Sequence, residues 1–151
     1  MHVLDKVITM LTIQGFNIED FTNYSPPKNT VAISFASKLD QQYDQRLYAE
    51  LPDVYTKYLD HLVILADDIS INKPNPEYQL FTNNDAQNVI DFVNEHSNSN
   101  IVIHCNAGVS RTGTLVKFLA SHYNYQIVGQ QNFTINQLIN NLLHQAYERK
   151  D

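Results

Sequence analysis

A chain of 151 residues, 43% hydrophobic and 17% charged, is sized for one globular domain and is too apolar for a disordered one. Its net charge of −6 argues against a nucleic-acid or anionic-membrane partner gripped by a broad basic surface. The one cysteine excludes an intrachain disulfide, and no stretch has the pattern of a secretory leader or membrane span, so cytoplasmic residence is expected.

Residues 7–13 are rich in β-branched side chains and read as a first strand, with a helix as the alternative for so short a run. Gly15 then marks a turn, and Asn17 is placed to cap a brief helix to Phe21. Residues 24–29 form a loop, since Pro26 and Pro27 cannot donate backbone hydrogen bonds. Residues 30–35 alternate as a strand, residues 38–50 suit a surface loop or ragged helix, and residues 51–59 carry a helical apolar period. Residues 61–66 read as a buried strand ending in Asp67 and Asp68, and residues 73–76 as another loop. Thr82 or Asn83 caps a helix to about Glu95, with Ala86, Val89, Ile90 and Val93 as its inward stripe. Residues 101–104 form the next strand and residues 112–123 the next helix; Thr134 and Gln137 fit a capping box opening a last helix to about Tyr147. Strands alternating with helices imply an α/β fold: one domain over residues 1–151, with a mostly parallel, twisted sheet flanked by helices.

The richest chemistry lies where the strand at 101–104 meets the helix at 112. A β-branched run ends in His104 and Cys105, small residues follow, and Arg111 opens the helix, a layout that turns backbone amides inward around an anion. Asn106, Ala107, Gly108, Val109 and Ser110 would then cradle a phosphate through their amides, with Ala107 and Gly108 keeping the loop narrow. Cys105 is the nucleophile, and the attacking species is the thiolate, which a helix N-terminus, inward amides and a guanidinium all favour. Arg111 offers a planar fork matched to two phosphoryl oxygens. The Thr112 hydroxyl can donate to the sulfur when it becomes a leaving group, and His104 can orient the loop through backbone carbonyls.

His-Cys-x5-Arg-Thr-Gly, from His104 to Gly113, resembles the signature of the protein tyrosine phosphatase superfamily in its compact dual-specificity branch. The similarity extends over about residues 61–146 and implies that branch's fold, a phosphocysteine intermediate, no metal or cofactor, and a phosphorylated protein or peptide as substrate. It also implies a general acid on a separate loop. The strand before the acid should lie beside residues 101–104, and the family pattern assigns the role to Asp68, with Asp67 as the alternative. Asn132 stands where compact members carry a side chain that positions the hydrolytic water, although Gln130 and Gln131 are equally reachable. Tyr43, Tyr48, Tyr55, Tyr58 and Tyr78 are candidates for an aromatic wall, and no spacing selects among them.

Three other readings compete. An RNA 5′-triphosphatase of the same superfamily shares the motif, but the acidic chain and a loop without lysine count against it and against a phosphoinositide phosphatase. A catalytically idle phosphoprotein-binding module would keep the fold, yet the retention of Cys105, Arg111, Thr112 and a plausible acid together counts against that as well.

Overall fold

The computed structural model describes residues 10–71 and 75–149. Its five strands are β1 (Thr12–Phe16), β2 (Thr30–Phe35), β3 (His61–Ile64), β4 (Asn100–His104) and β5 (Gln126–Val128). They lie in the order β3-β2-β4-β1-β5, and every pairing is parallel. Successive side chains of a strand point to opposite faces, so the sheet divides the interior in two. Val31, Ile33, Phe35, Ile101 and Ile103 face a core closed by the long helices α5 (Asn83–Glu95), α6 (Arg111–Tyr123) and α7 (Gln137–Glu148). Ala32 and Val102 face a smaller core closed by the short helices α1 (Ile18–Asn23), α3 (Gln45–Ala49) and α4 (Leu51–Tyr55). A further short helix, α2 (Lys38–Tyr43), follows β2 and overhangs the carboxyl ends of the strands. Fully burying one such aliphatic side chain contributes about 1.5–3 kcal/mol, and β2 is buried at all six positions.

Several expectations hold at the level of single elements. Asn17 caps α1 by accepting the Asp20 N–H at 2.7 Å, and Thr82 opens α5 in a reciprocal capping box with Asp85. Three need correction. Residues 1–9 and 72–74 lie outside the described residues, so the expectations that fall there are judged only where they overlap the rest. The first strand is Thr12–Phe16 and runs straight through Gly15, which does not turn the chain. A Cβ on Gly15 would come within 2.6 Å of Thr112 Cγ2 and 3.1 Å of the Phe133 ring, so this glycine serves close approach.

The strand before Asp67 pairs with β2 and not with β4. It is an edge strand, with Val63 40% exposed, because the six-residue β2 occupies the position next to β4. Residues 38–50 take the helical alternative, as two capped helices, since Ser37 and Asp40 make a capping box and Asp44 caps the second. The last helix is capped by Asn136, whose Oδ1 accepts the Ile139 N–H at 3.0 Å, and Thr134 lies exposed before it. The three-residue β5 was too short to announce itself as a strand. Among the described residues no helix is long and apolar enough to cross a membrane.

Candidate active site

β4 delivers His104 and Cys105 to the carboxyl edge of the sheet, where parallel α/β folds place their ligands. Beyond it, the loop is held from outside by its carbonyls. His104 Nδ1 lies 3.2 Å from the Cys105 carbonyl; the Ile18 N–H donates to the Asn106 carbonyl at 3.2 Å. Gln130 Nε2 donates to the Gly108 carbonyl at 2.7 Å, and the Thr134 N–H to the Val109 carbonyl at 3.2 Å. In a planar trans peptide the C=O of one residue and the N–H of the next point in opposite directions. Four carbonyls pulled outward therefore aim the amides of Asn106, Ala107, Val109 and Ser110 toward the loop's interior. Gly108 has φ +74°, and a Cβ there would meet the Phe16 and Asn17 backbone at 2.6 Å, so only glycine fits. Its own N–H donates to Cys105 Sγ at 3.1 Å.

His104 is fully enclosed between Ser34 and the Phe21 ring, which stacks on it at 4.2 Å. A carbonyl only accepts, so Nδ1 carries the hydrogen and Nε2 accepts from the Ser34 hydroxyl at 2.7 Å. Burial above all, with the Arg111 charge adding to it, pushes the His104 pKa down to about 4 and keeps the ring neutral. Its Nδ1 thus contacts a backbone carbonyl of the loop.

Arg111 is held by a residue that sequence reasoning missed. Its two terminal nitrogens grip both oxygens of Asp40 at 2.6 and 3.0 Å, and Nη1 also donates to the Ala66 carbonyl at 2.8 Å. Arg111 is 5% exposed and Asp40 8%, so the pair is shielded from water. Burial works against the guanidinium's charge, but the Asp40 hydrogen bonds and the neighbouring Cys105 raise its pKa above the ordinary value. The Nε atom is buried with no partner among the described residues, leaving a directed donor beside the loop.

The two aspartates after β3 have different surroundings. Asp67 is buried and fully engaged: Oδ1 accepts the Ser37 hydroxyl at 2.6 Å and Oδ2 the Gln79 N–H at 2.7 Å. Asp68 is exposed at the loop rim, where Ser110 Oγ and Asn136 Nδ2 both donate to its Oδ1, at 2.9 and 2.7 Å. A cleft of about 500 Å³ brings Asp68 together with Cys105, Asn106, Ala107, Val109, Ser110 and Arg111, walled by Leu39, Tyr43 and Thr134. Of the candidate tyrosines, Tyr43 alone lines this cleft; Tyr48 and Tyr58 are buried in the smaller core.

One expectation fails here. Asn132 is exposed between β5 and α7 and does not line the cleft; Gln130 supports the loop, and Asn136 reaches Asp68. The Thr112 hydroxyl, expected to donate to the sulfur as it leaves, is buried without a partner among the described residues, and the Gly108 N–H donates to Cys105 Sγ.

No curated protein sequence matches the chain. Residues 75–147 match the family model described as protein-tyrosine phosphatase, a span just under half of the chain that holds the whole loop together with α5, α6 and all but the last residue of α7. That match, on an all-parallel α/β scaffold, makes the chain similar to the protein tyrosine phosphatase superfamily and supports its membership.

Proposed function

We propose that this protein is a cytoplasmic, single-domain, cysteine-dependent phosphomonoesterase acting on phosphotyrosine in proteins or peptides, with phosphoserine and phosphothreonine as candidate further substrates. The observation that carries the reading is the meeting of Cys105, Arg111 and Asp68 in one cleft, on a loop whose amides face inward. The Cys105 thiolate attacks phosphorus; the S–P bond forms as the bond to the tyrosyl oxygen breaks, and the Asp68 carboxyl gives its proton to the leaving oxygen. Water then attacks the phosphocysteine, Asp68 takes back a proton, and phosphate and thiolate separate. Arg111 and the inward amides hold the phosphoryl oxygens throughout.

Cleft chemistry favours a single phosphate. Arg111 is the one cation among the described residues that line it, whereas a 5′-triphosphate or a phosphoinositide headgroup calls for more positive charge. The test is turnover of p-nitrophenyl phosphate and of phosphotyrosine, phosphothreonine and 5′-triphosphorylated RNA substrates. The expected result is hydrolysis that survives EDTA, is blocked by vanadate, is abolished by Cys105→Ser and is strongest on phosphotyrosine. Phosphopeptide binding without turnover in the wild type would favour the binding module, and preference for the RNA would favour the triphosphatase.

A further inference from the structure

Asn136 has two jobs that its position makes separable. Its Oδ1 accepts the Ile139 N–H at 3.0 Å and caps α7, while its Nδ2 donates to Asp68 Oδ1 at 2.7 Å. Opposite partners on the two ends of the amide fix which end is oxygen and which is nitrogen. The side chain cannot swing, because Asn136 is 1% exposed and its own N–H is held by Thr114 Oγ1 at 2.7 Å. Thr114 in turn donates to the Ser110 carbonyl at 2.7 Å, which ties the anchor to the phosphate loop itself. Asp68, by contrast, is exposed on a connection that follows an edge strand, with little around it to set its carboxyl.

We propose that Asn136, with Ser110, is the positioning residue for the general acid. Both donors fall on the same oxygen of Asp68. With Oδ1 occupied by two N–H and O–H donors, the acidic proton resides on Oδ2, the oxygen left for the leaving group. Asn136 touches neither the phosphate nor the nucleophile. It converts a solvent-exposed carboxyl into one of fixed direction, and misdirection by about 1 Å costs on the order of 100-fold in such transfers.

This inference rests on Asp68 being the acid, and the experiment separates the two claims. Asn136→Ser keeps a good N-cap but is too short to reach Asp68. Steady-state rates are measured for a series of aryl phosphates running from good to poor leaving groups, for Asn136→Ser, Asp68→Asn and the double variant. Asn136→Ser should lose roughly 10- to 100-fold in kcat on the poorest leaving groups and little on the best. Vanadate affinity and Tm should stay near wild type, and Asn136→Ser added to Asp68→Asn should cost nothing further. An equal loss across the series, or a loss of vanadate affinity, would mean that Asn136 only supports the fold. A flat Asn136→Ser series beside a steep Asp68→Asn series overturns the positioning role alone; a flat Asp68→Asn series overturns the acid assignment and the inference with it.

Discussion

Asp40 and His104 show how much of a reactive site is work done by side chains that never touch substrate. Arg111 is buried and bidentate with Asp40, so removing the carboxylate strands a charge away from water. Asp40→Ala should destabilise the protein by about 3–5 kcal/mol in urea unfolding and weaken vanadate binding; near-normal values of both would deny Asp40 the anchoring role. His104 makes a pH prediction whose sign follows from its neutral burial. Its pKa falls from 6.5 in the unfolded chain to about 4 in the fold, so the unfolded state binds the extra proton between those values. Stability from this group is complete above pH 6.5 and declines as pH drops toward 4, by about 3 kcal/mol at most. Tm measured from pH 7 to pH 4 should show the decline, and His104→Gln should flatten it; a parallel decline in that variant would assign the effect elsewhere.

At the scale of elements, α2 does two things with one turn of helix. Leu39 and Tyr43 stand in the cleft wall while Asp40, next to Leu39, grips the arginine. Tyr43 is 81% exposed, so Tyr43→Ala should leave Tm unchanged. It should raise KM for phosphotyrosine peptides roughly 2- to 10-fold, the equivalent of about 0.5–1.5 kcal/mol of ring contact. An unchanged KM would remove the wall from substrate recognition. The same helix marks the limit of what the sequence discloses. The loop from Cys105 to Arg111 is legible because strand, small residues and helix start are contiguous, and their chemistry depends on spacing alone. Asp40 reaches Arg111 across 71 positions of sequence, and nothing periodic in residues 38–43 records that meeting. Asn136 is hidden differently: Thr134 and Gln137 satisfy a capping pattern that starts two residues earlier, and the tertiary demand of Asp68 and Thr114 selects Asn136 instead. The place of β3 was misjudged because strand order is a property of the whole sheet. Asp68 still arrives at the loop because parallel strands bring their carboxyl ends to one edge, whichever neighbour they pair with.

Over the whole molecule, a net charge of −6 surrounds a cleft whose described lining residues include a single cation. The phosphate is attracted at contact by Arg111 and the loop amides, but a substrate approaching from a distance meets an acidic body. Long-range repulsion is screened by salt and short-range hydrogen bonding much less so: the Debye length shrinks from about 30 Å at 0.01 M to about 10 Å at 0.1 M. For a phosphotyrosine peptide flanked by Glu and Asp, kcat/KM should therefore rise a few-fold over that range, chiefly through association. With Lys and Arg flanks the same protein attracts the peptide, and kcat/KM should fall over the same salt range. p-Nitrophenyl phosphate, with no charged flanks, carries only the phosphate charge and should respond least. Measuring the three substrates across one salt series turns the composition of the chain into a statement about its partners. A uniform response would show that the global charge plays no part in selection, and a rise for basic peptides would show that a local positive surface outweighs it.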